Sequence, residues 1–428
     1  MNRSEPVFRE WSWILTMFGT AVGAGILYLP LQVGVLNIWA LVFLTVLIFP
    51  MIHYSHQAIL RLLLSESPDM DYPGIVAHHF GRFAGGAAVG AFFLTFYAVL
   101  CSYSVGLNAN LGDVLHETGV SAGNWAHGPY LSLGVLAVLA GLHVVGTRLL
   151  LRVMSVISFG LIVLLGGISI YLIPFWDAGV FRQALSWGEF LDDVLLILPL
   201  LMFSFVFFPA MSSMAAAGRN LDADESRVWR HLNRTILKTT GLLLLFVLFF
   251  VYSCILALTP EEFERAIREN LNCLALLSHK EEIPPVMIGL GSAVGLAALV
   301  TSFIGVCFGA RESALRLVDH VVAHAVSDPE KIRYFQEHRR GIDIGILMLL
   351  FSSLWVLTLA NPSVIQLFGL WISPMVAMFL FIVPVAVLVK RDGIRVLRRP
   401  ALGVVLMTGL LLLFSFRLGT WLKAWLDG

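Results

Sequence analysis

Between Trp11 and Leu60 the chain runs for fifty residues without a single Asp, Glu, Lys or Arg. A helix needs about 20 apolar residues to cross the hydrocarbon core of a bilayer, so this window alone holds two crossings. Over all 428 residues, 58% are hydrophobic and 13% charged, and the mean hydropathy is +0.85. Inside lipid every backbone polar group must be satisfied within the protein, which helices do locally. The expected fold class is therefore an all-α polytopic membrane protein. The first ten residues are polar and charged and lead straight into the first apolar run, so no cleavable signal peptide is expected. The formal net charge is zero, and membrane lipid rather than nucleic acid is the expected surrounding partner. Of the four cysteines, Cys101, Cys254 and Cys307 fall in apolar runs and only Cys273 in a loop. Neither a disulfide framework nor a metal cluster is suggested.

Apolar runs between charged or turn-rich segments predict eleven spans, near 12–36, 38–63, 84–111, 129–147, 149–173, 191–217, 236–258, 284–310, 341–360, 364–389 and 400–422. They divide into a cytoplasmic N-terminus 1–11, a first five-helix repeat 12–173, a second 191–389 and an extra eleventh helix 400–422. An inner N-terminus places 22 of the 28 Lys and Arg residues on the inner side, a strong bias by the positive-inside rule. The C-terminus then lies outside. The outer loop Thr259–Ile283 carries six glutamates against three basic residues. This loop and the inner loop Arg311–Arg340 are read chiefly as solvated connections. The outer one has room for a short amphipathic helix and the inner one for a helix on the membrane surface.

Within the first span, "FGTAVGAGILYLP" from Phe18 to Pro30 holds three glycines and a proline, residues that weaken a helix where no water can repair it. The sixth span, "LILPLLMFSFVFFPAMSSMA", has Pro199 and Pro209 around a run of aromatics and serine. Spans one and six would correspond if the first ten spans were two five-helix halves. Five is odd, so such a repeat is inverted, and carriers of this design hold substrate at the midplane between broken helices. The halves share no residue-by-residue similarity; the repeat is inferred from topology. Gly86 and Gly90, with Gly289, Gly291 and Gly295, are read instead as helix-packing positions.

The motifs "FGTAVGAGILYLPLQVG", "FPMIHYSHQAILRLLLS", "YSV" at Tyr103 to Val105, "MFSF" at Met202 to Phe205, "SCILALTPEEFERAIREN", "GARES" at Gly309 to Ser313 and "ANPSVI" at Ala360 to Ile365 occur in this order. Together they resemble the bacterial hydroxy and aromatic amino acid permeases, in the branch of the serine and threonine transporters. The resemblance runs from the first span through the tenth. It implies the amino acid–polyamine–organocation superfamily architecture of the leucine-transporter type: five plus five inverted helices with broken helices one and six, plus one more. It also implies ion-coupled uptake of a small amino acid across a bacterial inner membrane. The chain departs from that branch at three central positions. Val206, Phe207 and Phe208 stand where the branch has Asn-His-Ser, Thr301 where it has lysine, and Gly369 where it has glutamate. Serine as substrate and simple proton coupling are both put in doubt.

A zwitterion entering a low-dielectric site needs both charged ends satisfied, at several kcal/mol each. Free N–H groups at Ala24 and Gly25, opening a second half-helix, suit the carboxylate. Carbonyls around Thr20 and Ala21, with those near Phe203 and Ser204, suit the ammonium, and Gly23 lets the backbone come close. Tyr103 is either a hydroxyl donor to the carboxylate or a packed, interface-facing tyrosine. Phe203, Phe205, Phe207 and Phe208 would wall the side-chain pocket, which favours a neutral, moderately apolar amino acid.

The segment Gly19 to Gly25 is also similar to the Gly-x-Ala-Val-Gly-x-Gly of the sodium-coupled bacterial leucine transporter family. That likeness, with "ALVTS" in span eight, implies one sodium held by Gly19, Val22, Ala298, Thr301 and Ser302. The position of a second sodium is Ile26 here. Proton coupling, the alternative, calls for a titratable group within the membrane. Asp343, Asp192 and Asp193 lie near span ends, which leaves His53 and His56, read as polar packing near the inner surface rather than as a relay or a metal pair. No enzyme constellation and no charged pore ring occurs in the spans. A transporter-like amino acid receptor remains an alternative, and a monomer is expected.

Overall fold

In the computed structural model, residues 10–427 are described except 68–69, 71, 122, 124, 126–127, 146, 185, 220–223, 270, 275, 277–284 and 326–327. The N-terminal segment expected in the cytoplasm therefore lies outside the described residues up to residue 9. The described residues are helical throughout, without strands. Helices α1 (Glu10–Ala21) and α2 (Ala24–Gly34) are followed by α3 (Ile38–Ser65), α4 (Tyr72–Glu117), α5 (Pro129–Val145) and α6 (Thr147–Tyr171). Then come α7 (Trp187–Phe203), α8 (Met211–Arg219), α9 (Glu225–Ala257), α10 (Pro260–Glu269), α11 (Pro285–Ala325), α12 (Pro329–Glu337) and α13 (Arg339–Leu359). The last two are α14 (Val364–Asp392) and α15 (Pro400–Asp427). Among the described residues nine helices are long and apolar enough to cross a membrane, and ten if α1 and α2 form one bent span. The fourth predicted span corresponds to a shorter apolar helix, Pro129–Gly141.

Exposed Phe83, Leu245, Leu349, Val138 and Met407 would be costly in water and belong against lipid tails. Exposed Trp39, Trp176, Trp187, Trp421 and Trp425 sit at helix ends, where amphipathic rings favour the headgroup level.

The helices begin where short polar side chains cap them. The side chains of Asn37, Ser186, Asp224 and Asp328 accept from the N–H groups of Trp39, Glu189, Ser226 and Glu330. One turn is shared between elements: Asp193 on α7 accepts the Asn37 N–H at 2.8 Å, so this carboxylate fixes the start of α3. Helix α4 breaks at Gly81, whose φ of +80° is open to glycine and strained for other residues.

Several helices outrun the predicted spans. Helix α9 starts at Glu225, eleven residues ahead of the predicted limit, and α11 continues to Ala325. Hydropathy ends at the membrane interface, whereas backbone hydrogen bonding continues into water. Most of the expected solvated inner connection Arg311–Arg340 is consequently helical, ending in the short helix α12. The loop expected outside forms an amphipathic helix, α10, which buries Phe263 and Ala266. Phe263 lies where a side chain on Gly34 would go, docking α10 onto α2.

Arg311 and Asp343 form an ion pair between α11 and α13, at 28% and 18% side-chain exposure. Removing one partner strands the other charge in a half-dry site. Asp343→Asn is expected to lower stability by roughly 1–3 kcal/mol, below the ~3–5 of a fully buried pair. The double neutral variant Arg311→Gln/Asp343→Asn should lose less than the sum of the single changes, as read by thermal unfolding in detergent.

Candidate functional site

Helix α1 ends at Ala21 and α2 begins at Ala24, with Val22 and Gly23 outside both and a bend of 47° between the halves. The Val22 N–H still bonds to the Phe18 carbonyl, at 2.9 Å. Beyond it, the carbonyls of Gly19, Thr20 and Ala21 belong to a helix C-terminus, and the N–H groups of Ala24 and Gly25 to a helix N-terminus. The Thr20 hydroxyl is turned back to the Thr16 carbonyl, at 2.8 Å.

The second break follows α7. Ser204 to Phe207 leave the helix before a single 3-10 turn, Phe208–Ala210, leads into α8. The turn uses most of its own acceptors: Ser204 N–H and Oγ bond to Leu200, Phe205 N–H to Met202, and Val206 N–H to Phe203 at 3.2 Å. The Phe203 carbonyl, expected to be free for an ammonium, therefore has one lone pair in use.

The two breaks lie against each other. A Cβ on Gly25 would stand 2.8 Å from Ser204 Oγ and 3.1 Å from the Phe203 ring. A Cβ on Gly23 would stand 2.4 Å from Ser302 Oγ and 2.9 Å from the Tyr103 hydroxyl. Glycine is needed at 23 for space, because its φ of −145° is open to any residue. Tyr103, on α4, is 2% exposed, and its hydroxyl lines the same side of Gly23 as Ser302 Oγ. It faces the break, not an interface.

Of the five oxygens implied for sodium, two are in direct contact: Ser302 Oγ donates to the Val22 carbonyl at 3.2 Å. Thr301 Oγ1 donates within its own helix to Ala297 (2.9 Å) and Ala298 (3.1 Å), leaving its lone pairs as acceptors. Ala298 is fully buried, and Gly19 backs onto Ser158 of α6, whose Oγ would be 2.2 Å from a Cβ there. Carbonyl and hydroxyl oxygens are the donor chemistry a hard cation takes.

The expected aromatic wall separates. Phe203 stays central, its ring 4.6 Å from that of Phe368 on α14, and Phe205 is fully buried. Phe208 instead joins Tyr72 and Phe92 in an edge-to-face cluster away from the break. Gly369 faces Phe416 of α15, so the position where the resemblance implies a glutamate is filled here by helix packing.

His56 is the residue the sequence misplaces. Its ring stacks on Phe207 with centroids 3.8 Å apart, its Nδ1 is 2.8 Å from the Ile52 carbonyl, and Phe207 N–H donates to its Nε2 at 3.3 Å. A backbone N–H can only donate, so Nε2 accepts, the proton resides on Nδ1 and the ring is neutral. His56 thus holds the span-six break instead of packing near the inner surface. His53, one turn away, points elsewhere, to Gln57 (3.0 Å), which bonds Asn233 of α9. The two imidazoles have separate surroundings. A histidine on an apolar helix face gives no sign of which it will meet.

Residues 10–322 match the model of the tryptophan/tyrosine permease family. The chain is similar to the serine transporter SdaC of Escherichia coli (strain K12), 27% identical over 398 residues that cover 90% of this chain and 88% of that protein. It is also similar to the inner membrane transport protein YqeG of the same strain, 28% identical over 379 residues, covering 88% and 90%. The threonine/serine transporter TdcC of Edwardsiella tarda is 28% identical over 392 residues, covering 87% and 86%.

Proposed function

Because this chain belongs to the tryptophan/tyrosine permease family, we propose that it imports a small neutral L-amino acid by alternating access, coupled to one sodium between spans one and eight. The observation that carries this reading is the contact between the two breaks at Gly25 and Ser204, with Tyr103 and Ser302 closing around Gly23. Half-helix ends that meet this way offer N–H groups to a carboxylate and carbonyls to an ammonium or cation.

The architecture is an eleven-span chain with an inverted five-plus-five repeat, counting α1–α2 and α7–α8 as single spans and α10 and α12 as connections. Support comes from how the spans pair. Spans two and seven, three and eight, and four and nine pack on one another. Other contacts come as exchanged pairs: one–seven with two–six, three–ten with five–eight, three–four with eight–nine, and five–seven with two–ten. A two-fold relation between the halves produces this pattern. The basic-residue bias sets the N-terminus inside and the C-terminus outside. The protein acts as a monomer in the cytoplasmic membrane.

The relatives named for serine and threonine support a small amino acid as the substrate class. Phe203, Phe205 and Phe368 shift the preference toward a side chain more apolar than that of serine. Proton coupling has one observation in its favour, the buried His56 at the span-six break.

Uptake into proteoliposomes with imposed Na⁺ or H⁺ gradients at fixed voltage decides the matter. A sodium gradient is expected to stimulate uptake, and Thr301→Ala/Ser302→Ala to reduce that stimulation by roughly tenfold, the equivalent of about 1.4 kcal/mol. Uptake driven by H⁺ alone and indifferent to the double change would end the sodium reading. Saturable binding without accumulation would point to a receptor.

A further inference from the structure

Away from the broken helices, the ends of α3, α9 and α14 flank an open cavity of about 550 Å³ together with the segment before α15. Four arginines line it: Arg61, Arg230, Arg391 and Arg399. Two carboxylates share the lining, Glu225 and Asp392, and Asp392 is held by Arg391 at 2.7 and 2.9 Å. Arg61 and Arg399 repel each other, and the Arg61 guanidinium lies 5.1 Å over the Trp229 ring, which holds it in place. A partly enclosed site with this surplus of positive charge favours an anion.

We propose that this cavity binds the phosphate group of an anionic membrane lipid. Guanidiniums present forked N–H donors that match phosphate oxygens two at a time. The site lies at the ends of three membrane-crossing helices, where headgroups are found, and basic pockets between such helices suit anionic headgroups. Leu64 and Leu388 add apolar surface beside the arginines, as an acyl chain requires and a free phosphate does not. The assignment is independent of the transport reading, since none of these residues touches the breaks.

The test uses the full-length protein, delipidated in detergent and titrated with phosphatidylglycerol, phosphatidylcholine or inorganic phosphate. Phosphatidylglycerol is expected to raise the melting temperature by roughly 2–5 °C and to be retained in native mass spectra. Arg61→Gln/Arg399→Gln should abolish both effects, whereas Arg399→Lys, which keeps the charge, should retain most of the binding. The mass-spectrometric readout stands even if the double variant is less stable. An equal shift with inorganic phosphate that depends on the same arginines would overturn the lipid assignment. Phosphatidylglycerol retention unchanged in the double variant, or equal retention of phosphatidylcholine, would overturn the site.

Discussion

Replacing Gly23 with valine is expected to cut amino acid uptake by roughly 100-fold without reducing the amount of protein in the membrane. A Cβ at this position would lie 2.4 Å from Ser302 Oγ and 2.9 Å from both Ser302 Cβ and the Tyr103 hydroxyl. Real carbon atoms do not approach this closely, so α11 or α4 must move back. Overpacking of this kind costs ~1–3 kcal/mol, and each ~1.4 kcal/mol is a factor of ten. Alanine should already cost about tenfold. Tyr103→Phe removes one of the two obstructing hydroxyls, so Gly23→Ala/Tyr103→Phe should lose less than the product of the single losses. Uptake kinetics in proteoliposomes, normalised to inserted protein, provide the measurement. A valine variant with normal KM and rate would show that nothing in the transport cycle depends on the close approach at Gly23.

The second large effect is expected at His56. Leucine there would leave the Phe207 N–H buried without its acceptor, at a cost of ~1–3 kcal/mol. The lost ring stacking on Phe207 adds about 0.5–1.5 kcal/mol. If that sum falls on the arrangement of span six, uptake drops by at least roughly tenfold. His56→Gln keeps an acceptor on a flexible stem and should recover part of the loss. His53→Leu, which touches the Gln57–Asn233 network instead, should be far milder. Wild-type uptake and melting temperature in the His56→Leu variant would rule out the role given to it here.

What could be read in advance followed from local chemistry. The break in span one is legible because Gly19, Gly23 and Gly25 stand in a membrane segment where helix weakness cannot be repaired by water. Its partner in span six is legible from Pro199 and Pro209 flanking a polar serine. Tyr103 is open between two roles, since a tyrosine in the third span looks the same facing a site or an interface; packing against Gly23 turns it toward the break, and its contact with a carboxylate belongs to the proposal. His56 and the fate of Phe208 were beyond reach for a different reason. Both depend on which helices meet, and neither the period nor the composition of a single span encodes its neighbours. Helix ends depart from the apolar limits at α9 and α11. At α9 and α11, charged residues continue a helix past the apolar boundary, because helix formation needs only backbone pairing and compatible side chains.

The bond from Ser302 to the Val22 carbonyl has one more consequence. A cation that took this carbonyl, as proposed, would turn the Ser302 hydrogen away, and the Tyr103 hydroxyl, beside the proposed carboxylate position, lines the same side of Gly23 as Ser302 Oγ. Occupancy at one of the proposed positions would then alter the cost of filling the other. Thermodynamic reciprocity makes the influence mutual: whatever factor the ion adds to amino acid affinity, the amino acid adds to ion affinity. Under the proposed sodium coupling, the serine hydroxyl between the two helices would join the binding free energies of ion and amino acid, and Ser302→Ala should reduce the measured cooperativity factor toward one.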